Sequence, residues 1–147
     1  MRIALDTDVL AYAEGVNGAE KKARALQLIE RLPAGSVFLP VQTLGELFQL
    51  LVRKLKHPPA QARNAILAWR DAYTLIETSE GVLVAAVELA VAHRFSFWDG
   101  AVLAAASEGG CRLLLTEDLQ DGFTWNGVTV ANPFAAAANS LLTGFLG

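Results

Sequence analysis

Residues 1–10, MRIALDTDVL, place a short apolar run, residues 2–5, directly before Asp6. A short apolar run that ends at a turn or cap residue is typical of a buried strand. Residues 37–39 before Pro40 have the same form, and further runs lie at 73–76, 111–115 and 128–130. The sequence therefore predicts strands at these positions, and the run at 111–115, CRLLL, is the best defined.

Helical periodicity fills the intervals between these runs, with helix starts predicted near residues 17, 43, 59, 79 and 96. Asn17 with Glu20, and Thr43 with Glu46, have the three-residue spacing of a capped helix start. Strands that alternate with helices predict a three-layer α/β/α domain with a central parallel sheet.

Residues 1–147 are expected to form one such domain, because the chain contains no linker, repeat or low-complexity segment. The Asn126-Gly127 pair lies between two short apolar runs, 123–125 and 128–130. This dipeptide is typical of a tight turn between antiparallel strands. The sequence therefore also predicts a small hairpin or edge strand towards the carboxyl end.

The composition limits the functions that the chain can have. Its formal net charge of −3 argues against a general electrostatic attraction to nucleic acid. Basic clusters at 21–31 and 53–57 are either local nucleic-acid contacts or ordinary solvated helix faces. The single cysteine, Cys111, and the two histidines, His57 and His93, form no disulfide framework or zinc-ligand spacing. Any metal must therefore be held by oxygen, which favours magnesium or manganese.

Asp6 and Asp8 interrupt what would have to be the apolar core of a signal peptide. The apolar stretch at 134–146 is broken by polar residues and is shorter than the roughly 20 residues that span a bilayer. We therefore expect a cytoplasmic protein with no membrane partner. The hydrophobic content, 53%, is high for an isolated soluble domain and indicates a surface buried by a partner.

Carboxylates follow the predicted strands at the edge where a parallel sheet binds ligands. Asp6 follows the first strand, Glu46 is expected in the first turn of the helix after the second, and Glu117 and Asp118 follow residues 111–115. Asp99 joins them if the helix that opens near residue 96 begins at the same edge. Each acid has an alternative role as a helix cap. Gathered carboxylates, however, repel one another and need a cation, and no lysine occurs after residue 56.

Four stretches resemble the characteristic segments of PIN-domain ribonucleases, and among these the VapC-type toxins of toxin-antitoxin pairs are closest. The stretches are LDTDVL at 5–10, TLGEL at 43–47, FSFWDG at 95–100 and LLLTEDLQDG at 113–122. The resemblance covers nearly the whole chain. It implies that Asp6, Glu46, Asp99 and Asp118 bind magnesium or manganese and that Thr116 orients a carboxylate or a water.

The resemblance further implies hydrolysis of single-stranded or looped RNA, a homodimer, and a cognate antitoxin protein that brings an arginine or lysine to the acids. The chain departs from the family at Asp8, where asparagine is usual. We expect Asp8 to position the residues that bind the metal rather than to bind the metal itself. Glu117 and Asp121 are additional acids whose direction the sequence leaves open.

Two alternatives stay open from the sequence alone. Asp6 and Asp8 also resemble the aspartate pair of haloacid-dehalogenase-type phosphatases, as nucleophile and general acid. That mechanism needs a basic residue before the late acidic loop, where only Arg94 and Arg112 are near. A phosphate-receiver module is disfavoured because it needs a lysine at the end of a late strand. The other alternative is a catalytically silent binding module that keeps the fold.

Overall fold

The computed structural model describes residues 1–137 and 139–146. Its strands are β1 (Arg2–Leu5), β2 (Val37–Pro40), β3 (Thr74–Ile76), β4 (Cys111–Leu115), β5 (Thr124–Trp125) and β6 (Val128–Ala131). Its α-helices are α1 (Thr7–Ala13), α2 (Ala19–Arg31), α3 (Val41–Arg53), α4 (Pro59–Ala72), α5 (Glu80–His93), α6 (Phe97–Glu108) and α7 (Ser140–Leu146). No helix within these described ranges has both the length and the hydropathy needed to cross a membrane.

The six strands form one sheet in the order β3-β2-β1-β4-β6-β5. Neighbouring strands from β3 through β6 run parallel, and only β5 is antiparallel. The chain moves outward in one direction from β1 to β3 and then returns to the other side of β1 with β4. A crevice at the carboxyl ends of the strands is expected at this switch point, between β1 and β4.

Alternate residues of the central strands enter two different cores. Ile3 and Leu5 of β1 pack with the helices α1 to α4, whereas Ala4 between them packs with α5 and α6. In β4, Leu113 and Leu114 divide between the two cores in the same way. Because the central strands are buried on both faces, they occur in the sequence as continuous apolar runs. The predicted three-layer α/β/α arrangement is confirmed.

The start of α6 is held in place by an unusually close approach to α5. A Cβ atom added to Gly100 would lie 3.1 Å from the backbone oxygen of Ala86. Ser96 caps the helix by accepting a hydrogen bond from the backbone N–H of Asp99, at 3.1 Å. Because Gly100 has no side chain, the first turn of α6 packs closely against α5. This packing fixes the position of Asp99, the residue before Gly100.

The predicted hairpin is present. Trp125 of β5 pairs with Val128 of β6, and Asn126 and Gly127 connect them with φ angles of 47° and 84°. Both central residues of a type I′ turn need positive φ, which asparagine and glycine tolerate best.

The predicted capped starts at Asn17 and Thr43 are wrong. Asn17 has a left-handed φ of 67°, and α2 begins only after Gly18, with no side-chain cap. The helix α3 begins at Val41, and Thr43 lies inside its first turn with its hydroxyl donating to the backbone oxygen of Pro40 at 2.8 Å. In both cases the backbone path into the helix, rather than a capping side chain, decides where the helix begins.

Candidate metal centre

Asp6 lies where β1 ends and α1 begins, next to the end of β4. Its backbone N–H donates to the oxygen of Leu115 at 3.0 Å, which joins the ends of the two central strands. Its carboxylate accepts a 2.7 Å hydrogen bond from the N–H of Thr7, and only 5% of the residue is exposed. The predicted capping role is therefore present, but it occupies one carboxylate oxygen, Oδ1, and leaves the rest of the group facing the crevice.

Asp8 connects the first turn of α1 to the loop after β4. Its Oδ2 accepts hydrogen bonds from the Thr116 hydroxyl at 3.2 Å and from the Glu117 N–H at 2.8 Å. Its Oδ1 accepts from the Val9 N–H at 2.8 Å, and the residue is 7% exposed. Three donors of the chain thus hold Asp8 in one position, and Asp8 in turn holds the loop.

Thr116 fixes the direction of the loop that carries Asp118. It is fully buried, and its N–H donates to the oxygen of Ala131 at 3.1 Å. Its hydroxyl accepts from the Asp118 N–H at 3.1 Å while it donates to Asp8. One side chain therefore sets the relative positions of two of the carboxylates.

Asp6, Asp8 and Asp118 form the tight cluster of the site, hereafter the inner cluster. One carboxylate oxygen from each lies within 4.8 Å of the others. A magnesium or manganese ion binds oxygen at about 2.1 Å and calcium at about 2.4 Å, so two oxygens of one ion lie up to about 4–5 Å apart. The donor set and its spacing fit a hard divalent cation.

The described residues only partly offset the negative charge of the inner cluster, through Lys21 near Asp118. Burial, then the charge of Asp8, raises the pKa of Asp6 from 3.8 to about 8. Burial, then the charge of Asp118, raises the pKa of Asp8 from 3.8 to about 7 despite its hydrogen bonds. Burial, and then the charges of Glu117 and Asp99, also raise the pKa of Asp118. Such a cluster needs a cation to stay ionised near neutral pH.

Glu46 and Asp99 lie at the rim of the same crevice. The charge of Glu46 contributes to the raised pKa of Asp6, and that of Asp99 to the raised pKa of Asp118. Gln42 holds the two rim elements together, because its amide N–H donates to Glu46 at 2.7 Å and to the backbone oxygen of Trp98 at 3.0 Å. The expectation that Glu46 lies in the first turn of its helix is wrong, since α3 begins five residues earlier, at Val41.

Glu117 and Asp121 each form an ion pair or hydrogen bonds with residues outside the inner cluster. Glu117 forms a 2.8 Å ion pair with Lys21 and accepts a hydrogen bond from the Tyr12 hydroxyl. Partial burial acts to raise the pKa of Glu117, but the Lys21 and Tyr12 hydrogen bonds lower it overall. Asp121 accepts from the backbone N–H of Asn132 at 3.0 Å and so fastens the loop to the end of β6.

The sequence reasoning missed Lys21, Tyr12 and Gln42. No lysine occurs after residue 56, but Lys21, much earlier in the chain, reaches the crevice from α2, with its ammonium 4.9 Å from the centre of the Tyr12 ring. Nothing in the local sequence indicates this contact. Tyr12, by contrast, follows Asp8 by four residues, and this spacing places both on one face of α1.

The fold and the site together define a class of protein: an α/β domain with a mostly parallel sheet and an acidic crevice at the switch point of that sheet. The profile of the PIN domain family matches residues 3–121. These residues include every carboxylate of the inner cluster and of its rim. The chain belongs to the PIN domain family.

Solved structures agree with this assignment. The chain is similar to Mycobacterium tuberculosis VapC20, described as a Sarcin-Ricin loop cleaving toxin, with a TM-score of 0.65, 25% identity, and 76% of this chain and 86% of that chain covered. It shares the fold of a toxin-antitoxin complex from Klebsiella pneumoniae, with a TM-score of 0.67, 21% identity, and coverage of 90% and 98%. FitAcB from Neisseria gonorrhoeae has a TM-score of 0.66, 21% identity and the same coverage, 90% and 98%. No curated protein sequence matches at a significant level.

Proposed function

We propose that the protein is a magnesium- or manganese-dependent endoribonuclease and the toxin of a toxin-antitoxin pair. The observation that carries this proposal is the inner cluster, in which three carboxylates meet at the switch point of a PIN fold. The RNA substrate is inferred from the resemblance to PIN-domain ribonucleases and from the similarity to VapC20, which is described as a Sarcin-Ricin loop cleaving toxin.

In this proposal Asp6 and Asp118 hold the cation, and Glu46 and Asp99 bind it or its water ligands from the rim. When bound, the ion lowers the pKa of water and offsets the charge of the scissile phosphate. Asp8 and Thr116 position the loop that carries Asp118, through the hydrogen bonds described above. Lys21 pairs with Glu117 and offsets part of this extra negative charge beside the inner cluster.

The phosphatase alternative fits the geometry less well. It requires Asp8 to carry a proton and donate it to a leaving group. Both oxygens of Asp8 instead accept hydrogen bonds from donors of the chain, two of them backbone N–H groups. A carboxyl group in such a position is held as an acceptor.

The proposal is tested by RNA cleavage in chelator and after addition of magnesium or manganese. We expect no cleavage in chelator and full recovery with either ion. The variant Asp99→Asn should lose at least about 100-fold in rate, as is common when one group that stabilises the transition state is removed. Asp71→Asn is the matched control, because Asp71 is exposed on α4 and pairs only with its neighbour Arg70. Cleavage that persists in chelator, or in Asp99→Asn, would refute the proposal, and turnover of an aryl phosphate would favour the phosphatase.

The partners are proposed on separate grounds. An antitoxin is inferred from the structural neighbours, several of which are toxin-antitoxin complexes. A homodimer is inferred from α5, where exposed valines follow one face: Val84 is 54% exposed, Val87 47% and Val91 76%. Exposed apolar patches of this kind mark interaction surfaces. Such an apolar stripe on one helix, here flanked by Glu88, can pair with the same stripe of a second copy across a two-fold axis.

A further inference from the structure

A groove of about 740 Å³ opens beside the inner cluster, between α3 and the start of α6. Glu46 lines this groove and its charge also acts on Asp6, so the groove lies next to the metal centre. Trp98, the residue before Asp99, forms one wall, and Arg53 stands at the far end of α3. The groove is large enough for a bound organic molecule the size of a nucleotide.

Trp98 is the aromatic residue that lines this groove. It is 59% exposed, although tryptophan is among the most buried residue types on average. It is nevertheless held in place, because Phe97 meets its ring edge-on at 4.7 Å between centroids and Gln42 binds its backbone oxygen. A fixed, exposed indole offers a flat apolar surface on which a base can stack.

Arg53 is the cation of this groove. Seven residues separate it from Glu46 along α3, which corresponds to about 10 Å at the helical rise. Within the described residues Arg53 makes no salt bridge and no side-chain hydrogen bond. By contrast, Lys21 pairs with Glu117, and Arg24 donates to the backbone oxygen of Phe134 at 2.9 Å. Arg53 is therefore free to contact a phosphate.

The charge of the protein makes such a local cation necessary. The chain has a net charge of −3, and the inner cluster adds a strong negative field beside the groove. A polyanion cannot be held near this site by general attraction. Contact to one phosphate from Arg53 and stacking on Trp98 would supply the two kinds of interaction that bind single strands without base-specific readout.

We propose that this groove binds single-stranded RNA next to the cleavage site, with Trp98 stacked on a base and Arg53 on a backbone phosphate. The inference rests on the proposed ribonuclease function and adds the path of its substrate. A folded double helix is a poor occupant, because its bases are already stacked on one another and not available to the indole.

The experiment measures binding separately from cleavage. A fluorescein-labelled, random-sequence single-stranded RNA oligonucleotide is titrated with protein in chelator at low salt, and its anisotropy is recorded. Trp98→Leu should weaken binding about 5- to 150-fold, which corresponds to about 1–3 kcal/mol for one stacked base. Trp98→Phe keeps an aromatic face and should retain most of the affinity, whereas a role in packing alone would be served better by leucine.

Arg53→Gln should lower the slope of log affinity against log salt by about 0.7, the value for one phosphate contact on a single strand. Arg70→Gln is the matched control, because Arg70 is also exposed and lies in the last turn of its helix, α4. Circular dichroism confirms that each variant is folded. The inference is overturned if wild-type protein does not bind the oligonucleotide, or if Trp98→Leu binds it as wild type does. Failure of the ribonuclease proposal would appear instead as RNA that is bound but not cleaved with either metal.

Discussion

The burial of Asp6 beside Asp8 predicts that the metal-free protein loses stability as the pH rises. Their pKa values are about 8 and about 7 in the folded state, against 3.8 for a free carboxyl group. Between about pH 4 and pH 7 the folded protein therefore holds more protons than the unfolded chain. Stability falls with rising pH wherever the folded state holds more protons, so the stability present below pH 4 is lost progressively up to about pH 8.

The size of the effect follows from the number of protons. One proton of difference changes the free energy of unfolding by about 1.4 kcal/mol per pH unit. The two carboxyls interact, so we count one proton rather than two, which amounts to about 2.7 kcal/mol between pH 5 and pH 7. For a domain of about this size, this corresponds to a fall of roughly 5–10 °C in Tm. In Asp8→Asn burial still raises the pKa of Asp6, but the charge of Asp8 no longer adds to it, so the fall in Tm between pH 6 and pH 7 should be smaller than in the wild type.

Thermal unfolding by circular dichroism in chelator at pH 5, 6 and 7 tests this reasoning. Magnesium should raise the Tm strongly at pH 7 and little at pH 5, because protonated carboxyls do not bind the ion. Asp71→Asn, which removes an exposed acid, should keep the wild-type pH dependence. The reasoning is refuted if the wild-type Tm is constant or rises from pH 5 to pH 7, or if the Tm of Asp8→Asn falls as much as that of the wild type between pH 6 and pH 7.

Two other predictions concern activity and assembly. Asp6→Asn should abolish RNA cleavage. Asp8→Asn should keep most of the activity, because an asparagine oxygen can still accept hydrogen bonds from the Thr116 hydroxyl and the Glu117 N–H. An equal loss of activity in both variants would indicate that Asp8 is a direct metal ligand. The protein should sediment as a dimer at micromolar concentration, and Val87→Lys, which places a charge within the exposed stripe of α5, should shift it to monomer. A monomeric wild type in analytical ultracentrifugation would remove the basis of the dimer proposal.

The fold could be predicted from sequence because its main signals are local. A strand buried on both faces needs successive apolar residues, and residues 113–115 therefore stand out without any knowledge of their neighbours, although Arg112 of the same strand is exposed. The Asn126-Gly127 turn is equally local, since it depends on two φ angles. The starts of α2 and α3 were misplaced because Gly18 and Pro40 direct the chain into these helices without a side-chain cap.

The candidate site could also be predicted only in part from the sequence. The sequence by itself predicted that Asp6 and Asp118 lie at one edge, because both follow strands of a parallel sheet. That these two strands are neighbours, so that the two carboxylates meet, was decided by the tertiary structure. Only the tertiary structure decided that Asp8 turns inward onto Thr116, and that Lys21 crosses from α2 to Glu117. These contacts join segments about 100 residues apart, which spacing along one helix or strand cannot encode. They depend on how the layers pack, and packing is decided by the whole chain at once.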